Sequence, residues 1–386
     1  MLAERMSRLG TETAFEVLAR AKELEREGKT VIHLEIGEPD FDTPEHIRQA
    51  ACQALAEGYT HYGPSPGDPE LREAIAETIS KSRGVDVTPE EVVVVPGAKP
   101  IIFFGIMALV NEGEEVIYPN PGFPIYESVI NFVGAKPVPL PLREENEFRL
   151  DAEELGRLIT PRTKMIIINS PQNPTGSVLT LEDLEAIARM AVEHNVWVMT
   201  DEAYSRMVYD GEHHSVLAFP GMKERTILID GFSKTYAMTG WRLGYGVAPK
   251  PLTDAIAKLE TNCNSCTPSF IQRAGIVALR SSQEASEAMM AQFKARRDVI
   301  VDGLNSLPGI SCVKPRGAFY AFPNVTGTGI ETSTLAKRIL EEAGVAVLSG
   351  TAFGEYGEGY LRLSYANSVE NLRAAVKAIG EFLSRL

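Results

Sequence analysis

Cysteine is scarce in this chain, with four among 386 residues. That excludes a disulfide framework and suits a reducing cytosol. Histidine occurs six times, and no histidine–carboxylate cluster has the spacing of a metal site. Long hydrophobic runs are missing. The longest apolar stretches, such as Ile101–Val110, fall well short of a membrane span, and no basic start followed by an apolar stretch marks a secretory signal. Positive charge is in deficit: 38 Lys+Arg face 52 Asp+Glu, a formal charge of -14. This balance opposes non-specific attraction to nucleic acid or an anionic membrane. It leaves room for an anionic substrate, because a few local arginines set the potential inside a cleft. Cys263 and Cys266 have C-x-x-C spacing, but no second pair accompanies them, and an incidental or structural role is expected. Neither a P-loop nor a dinucleotide-binding glycine fingerprint follows a strand.

What is present is the composition of an ordinary globular protein, 44% hydrophobic and 23% charged, too long for one core of usual size. A helical pattern through Phe15, Leu18, Ala19 and Lys22 ends at Glu27-Gly28. Val31–Ile36 then reads as a short strand. From Glu45 to about Asp254 strands and helices alternate, with strands at Val92–Val95, Glu115–Tyr118, Lys164–Ile168, Val196–Thr200, Thr226–Ile229 and Arg242–Val247. Helices are expected at about Ala98–Val110, Pro124–Val133 and Leu181–His194. Such alternation predicts an α/β fold, a mostly parallel sheet sandwiched by helices. Beyond about Glu260 a long helix (Ser282–Leu304), strands at Ile310–Lys314, Ala318–Pro323 and Tyr360–Ser364, and a last helix (Val369–Leu383) suggest a smaller α+β unit. The expected division is 1–44 as an N-terminal arm and part of the small domain, 45–280 as the large domain, and 281–386 as the small C-terminal domain.

Ligands of doubly wound sheets collect beyond the carboxyl ends of the strands. Four predicted strands run there into polar clusters. These are Gly97-Ala98-Lys99 at a helix start, Asn169-Ser-Pro-Gln-Asn173-Pro-Thr-Gly176, Asp201-Glu202-Ala203-Tyr204, and Asp230-Gly231-Phe-Ser233-Lys234. Four such clusters at four strand exits mark a site.

The run Ser233-Lys234-Thr-Tyr-Ala-Met-Thr-Gly-Trp-Arg242-Leu-Gly-Tyr resembles the lysine motif of the class I/II, fold type I, pyridoxal-phosphate-dependent aminotransferases, in their bacterial aspartate/aromatic branch. Asn173-Pro-Thr-Gly and Asp201-Glu-Ala-Tyr204 precede it in family order. The likeness runs from Gly37-Glu-Pro-Asp-Phe41 to Arg362-Leu-Ser-Tyr365. Each motif alone is weak, and jointly they are specific. The resemblance implies amino-group transfer from an L-amino acid to a 2-oxo acid, with 2-oxoglutarate as acceptor, in two alternating half-reactions on pyridoxal 5′-phosphate. The donor it suggests is aspartate or a broad or aromatic range of amino acids.

It also implies roles. Lys234 supplies the amine for a Schiff base with the cofactor aldehyde and, once freed, carries a proton at the substrate α-carbon. Asp201 pairs with the pyridine nitrogen and keeps the ring cationic. Tyr204 and Asn173 hydrogen-bond the phenolic oxygen. Gly97, Ala98 and Lys99 at a helix start, Ser233 and Arg242 hold the phosphate. Phe123 stacks on the ring. Arg362, with Gly37 and Asn173, anchors the substrate carboxylate. Tyr62 reaches the phosphate of the neighbouring subunit, which implies a homodimer with shared sites. No lysine or arginine marks itself for a distal carboxylate, and His213-His214 is expected in a solvated loop. The family position usually holding a hydroxyl three residues before the lysine is Gly231 here.

Two alternatives stand beside this reading. A β-eliminating C–S lyase on the same fold also begins with α-deprotonation, so fold alone does not separate it. A transcriptional regulator with an aminotransferase-like domain would need a basic helix-turn-helix module, and the acidic chain shows no stretch for one.

Overall fold

The computed structural model describes residues 2–386. Twelve strands are labelled here in chain order: β1 (Ile32–His33), β2 (Val92–Val95), β3 (Glu115–Asn120), β4 (Lys136–Pro141), β5 (Thr163–Asn169), β6 (Trp197–Asp201), β7 (Thr226–Gly231), β8 (Gly244–Val247), β9 (Tyr320–Ala321), β10 (Val345–Ala346), β11 (Leu348–Ser349) and β12 (Leu361–Ser364). Seven form one sheet in the order β2-β8-β7-β6-β5-β3-β4. All neighbours are parallel except β8, which runs antiparallel to both β2 and β7.

The strands are short apolar runs because both faces of the sheet are covered. Val93, Val95, Ile227 and Ile229 pack on one face with Ile101, Ile106 and Ile256 from the helices Lys99–Leu109 and Lys250–Cys263. Val92, Val94 and Leu228 point the other way, toward Leu71, Ile75 and Ala274 of the helices Pro69–Arg83 and Ser269–Arg280. The pleat of period two thus sorts each strand between two cores. β4 escapes a β-propensity reading because its sequence, KPVPLP, carries three prolines. It lies at the sheet edge, where missing N–H donors are tolerated.

A second, three-stranded antiparallel sheet has the order β11-β12-β9, and β1 pairs parallel with β10. The helices Glu284–Asn305 and Val369–Leu383 pack on it through Phe293, Ile300, Leu304, Leu372 and Ile379. Several predicted strands shrink. Val31–Ile36 becomes the two residues of β1, and Ala318–Pro323 the two of β9. Of Ile310–Lys314 there remains one isolated bridge, Ser311 to Asn324. The expected strand from Arg242 starts instead at Gly244, because Arg242 has φ 54° and turns the chain first. No helix among the described residues is long and apolar enough to cross a membrane.

Candidate active site

β5, β6 and β7 end side by side, with Asn169 level with Asp201 and Asp201 beside Ile229. Their exits open into a cavity of about 790 Å³. It is lined by Gly37, Lys99, Phe123, Asn173, Asp201, Tyr204, Ser233, Lys234, Arg242 and Arg362, together with Phe15, Leu18 and Lys22 from the N-terminal helix Ala14–Arg26. Residues far apart in sequence therefore meet because parallel strands deliver their loops to one edge.

Lys234 sits in the short helix Phe232–Thr235 that caps β7. Its Nζ donates to the Gly37 carbonyl at 2.5 Å. Burial lowers the amine to about 8; Glu38 opposes this, and Arg362, Lys99 and Arg242 reinforce it. An amine so placed is a good nucleophile near neutral pH. Asp201 is buried, and burial pushes its carboxyl up. A hydrogen bond from the Tyr126 hydroxyl at 2.6 Å and one from the Ala203 amide at 3.2 Å pull it back. Sequence reasoning missed Tyr126. Its signal is position: three residues after Phe123, on the helix Ile125–Phe132, it forms an edge-on ring pair with Phe123 at 5.7 Å.

At the other end of the cavity β2 and β8 bring Gly97 and Arg242 together. Gly97 has φ 81°, and a Cβ there would collide with the Arg242 guanidinium. Arg242 donates to the Thr239 carbonyl at 2.8 Å. Ala98 is the N-cap of the helix Lys99–Leu109 and lines the same space with Lys99; the first amides of a helix have no partner within it. A Cβ at Gly244 would strike the backbone of Gly97 and Ala98. Only glycine lets the chain close so tightly beside Arg242. Lys99 differs from its expected place in one respect: its ammonium pairs with Glu12 from the N-terminal segment and lies 5.3 Å over the Phe123 ring.

Arg362, on β12, is buried. Its guanidinium donates to the Glu35 carbonyl and lies 4.7 Å over Tyr320 and 5.2 Å over Phe353. Its Nε and the Oδ1 of Asn173 are buried polar atoms without a protein partner. Such groups cost free energy unless something pairs them. They make a donor and an acceptor available for a polar ligand. The Tyr204 hydroxyl meets that of Tyr320 at 2.7 Å.

One expectation changes, for His213. Tyr62, expected to serve a neighbouring subunit, lies outside this cavity in its own chain; it is 89% exposed, in a shallow groove with Tyr59, His61 and Phe270. His213 is not solvated. Its ring bonds Glu202 at 3.0 Å behind the site, where Arg83 also pairs with Glu202 at 2.8 Å and with Asp230 at 3.4 Å. A buried carboxylate recruits such partners. Burial opposes ionisation of Glu202, but Arg83 and His213 outweigh it and hold the carboxyl at about 2.

The cavity offers an amine, a buried carboxylate, a glycine-lined corner beside Arg242 and a guanidinium, that of Arg362, whose Nε has no protein partner. This set fits a pyridoxal phosphate, with a cationic ring nitrogen for Asp201, an aldehyde for Lys234 and a dianion for Gly97, Ala98 and Arg242. Comparison with known proteins agrees with that chemistry. The family model for aminotransferase class I and II matches residues 29–379. The aspartate aminotransferase of Pyrococcus abyssi is 47% identical over 359 residues, 92% of either chain. The aromatic-amino-acid aminotransferase 2 of Thermococcus litoralis is 44% identical over 357 residues, again 92% of either chain. The solved aspartate aminotransferase from Rhizobium meliloti superposes with a TM-score of 0.95 at 38% identity, covering 100% of this chain and 99% of that one. The lysine at the end of β7, the carboxylate at the end of β6 and the family match place this chain among the class I and II aminotransferases, and it is a transaminase.

Proposed function

We propose that the chain moves the amino group of aspartate or an aromatic amino acid to 2-oxoglutarate, with pyridoxal 5′-phosphate as its cofactor, by a two-step alternating mechanism. The observation that carries this is the half-buried Lys234 amine, lowered by desolvation to about 8, in one cavity with Asp201, Arg242 and Arg362. When bound, pyridoxal phosphate supplies an aldehyde to receive nitrogen and an electron-accepting ring.

The chain's residues do the rest. Asp201 holds the ring proton, with Tyr126 and the Ala203 amide fixing its two oxygens. Gly97, Ala98, Ser233 and Arg242 hold the phosphate, and Phe123 flanks the ring. Asn173 and Tyr204 donate to the phenolic oxygen. Arg362, with Gly37 and Asn173, grips the α-carboxylate, and this grip sets which bond of the α-carbon faces the ring. Lys234 then takes and returns the α-proton. Because the carboxylate is held, removal of the proton is favoured over loss of carbon dioxide. Beyond the α-carbon the wall is mixed: Phe15, Leu18 and Ile36 are apolar, and Lys99 and Lys22 are cationic. An aromatic ring and a second carboxylate can each find a partner there.

Tyr62 completes the phosphate site of a second copy, which makes the enzyme a homodimer with shared sites. Its exposed position in this chain supports that role. The division into 1–44, 45–280 and 281–386 and a cytoplasmic location belong to the same reading; the four free cysteines support the latter.

The test is a half-reaction screen. Each amino acid is mixed with the cofactor-loaded enzyme while the visible absorbance is followed. Aspartate and the aromatic acids should discharge it and yield one 2-oxo acid per site. Pyruvate and ammonia from a cysteine conjugate, with no glutamate formed from 2-oxoglutarate, would mean β-elimination instead.

A further inference from the structure

Nothing in the sequence singles out Tyr320, yet three groups of the site converge on it. It is fully buried on β9. Its hydroxyl lies 2.7 Å from that of Tyr204, and a Cβ at Gly37 would collide with it. The Arg362 guanidinium lies 4.7 Å over its ring.

One hydrogen lies between two phenol oxygens, so one of the pair must donate and the other has its own proton to spend elsewhere. A cation over an aromatic face is attracted to it and favours electron density on that ring's oxygen. Burial pushes both phenols up and Arg362 opposes this at each, and it is the Tyr320 ring on which its guanidinium lies. Either hydroxyl can donate on geometry alone; the cation on its ring makes Tyr320 the better acid, and we assign it as the donor. Tyr204 then accepts from it and keeps its own proton for the cavity.

We propose that Tyr320 is a positioning residue of the transamination site: by donating to Tyr204 it aims the Tyr204 hydroxyl at the cofactor's phenolic oxygen, and it ties that hydroxyl to Arg362, the carboxylate anchor. The proposal rests on the roles given above to Tyr204 and Arg362. Tyr320 and Arg362 come from the three-stranded sheet, whereas Tyr204 follows β6 of the large sheet. The chain of contacts Arg362–Tyr320–Tyr204 thus spans the two sheets. It gives binding of a carboxylate at Arg362 a route to the electronics of the lysine–cofactor linkage that does not pass through Asn173.

The test reads the pH midpoint of the visible absorbance of the cofactor-loaded enzyme. The charged and titratable groups facing the Lys234 amine are Glu38, Arg362, Lys99, Arg242, Asp201 and Tyr204. Tyr320→Phe leaves all of them in place. Losing the donor to Tyr204 weakens a hydrogen bond to the deprotonated phenolic oxygen, so the midpoint should rise by about 0.5 unit, the size of a fraction of one hydrogen bond. Tyr204→Phe should raise it further, and Tyr320→Phe added to Tyr204→Phe should raise it no more. Replacing Tyr320 by a ring-fluorinated tyrosine, a stronger donor of nearly the same shape, should lower it.

An unchanged midpoint in Tyr320→Phe, beside a raised one in Tyr204→Phe, overturns the proposal and leaves the proposed function standing. An equal rise from Tyr320→Phe in the Tyr204→Phe background also overturns it, because the effect then bypasses Tyr204. No shift in Tyr204→Phe itself removes the role of Tyr204 on which the proposal rests. Should Tyr320→Phe fail to bind cofactor, the fluorinated protein supplies the same reading: a midpoint equal to wild type or above it counts against the proposal.

Discussion

At the residue scale, the site is a set of side chains whose ordinary chemistry is altered by where they sit. Lys234 is the clearest. Burial, and the cations Arg362, Lys99 and Arg242 around it, destabilise its ammonium form. Only the neutral amine attacks an aldehyde, and its fraction grows as pH rises through the lowered value. Capture of pyridoxal phosphate by the cofactor-free protein should therefore accelerate with pH to a plateau, with a midpoint of about 8. Stopped-flow absorbance measures this directly; a midpoint above pH 10, where an unperturbed lysine titrates, would exclude the lowered amine. Arg362 offers a planar fork that lysine cannot copy. Arg362→Lys should cut kcat/KM by about 100-fold for every amino acid tested, because the α-carboxylate is common to all. Lys99, paired with Glu12 on the cavity wall, is proposed above as a partner for a second substrate carboxylate. Lys99→Ala should lower kcat/KM for aspartate by about tenfold and leave that for phenylalanine nearly unchanged.

At the scale of the element, the site depends on strands that end together and on backbone that approaches closely. The strand-exit clusters were legible because Asn173, Asp201, Lys234 and Gly97 each follow a short β-branched run, and parallel strands send such exits to one edge. The edge strand β4 was not, because its prolines carry the signature of a loop. Nor could periodicity reveal that Arg242 turns before β8 begins. Tyr126 and Tyr320 were also illegible: each acts through one hydroxyl on a residue 75 or 116 positions away, and a sequence without its fold gives no such pairing. The buried group behind β6 and β7 is of the same kind. Arg83 at the end of the helix Pro69–Arg83 has a side chain 6% exposed and pairs with Glu202, which is 1% exposed. Arg83→Met would take away the arginine that pairs with both Glu202 and Asp230, so it should cost roughly 3 kcal/mol in urea unfolding. A change below about 0.5 kcal/mol would mean the cluster relaxes freely.

At the scale of the whole molecule, the cavity lies between the exits of the large sheet and the three-stranded sheet that carries Arg362, with the N-terminal helix Ala14–Arg26 as its third wall. Glu12 on Lys99 ties that N-terminal segment to the large sheet's helix Lys99–Leu109. What a single chain does not bring to the cavity is Tyr62. If a second copy supplies it, Lys234 and the Tyr62 that serves it stand on different subunits. Mixing Lys234→Ala with Tyr62→Ala protein, at cofactor levels too low to load Tyr62→Ala alone, should restore about half the wild-type activity per mixed dimer. In such a dimer one site has both residues and the other has neither. Activity no greater than that of the two parents would place Tyr62 outside the shared site.

The central claim, that Lys234 carries the cofactor and hence the amino transfer, is tested most directly by reducing the loaded enzyme with borohydride and mapping the bound cofactor by mass spectrometry of its peptides. The expected result is the reduced cofactor on Lys234, with no label in Lys234→Ala. The label on another lysine, or equal labelling of the Lys234→Ala protein, would contradict it.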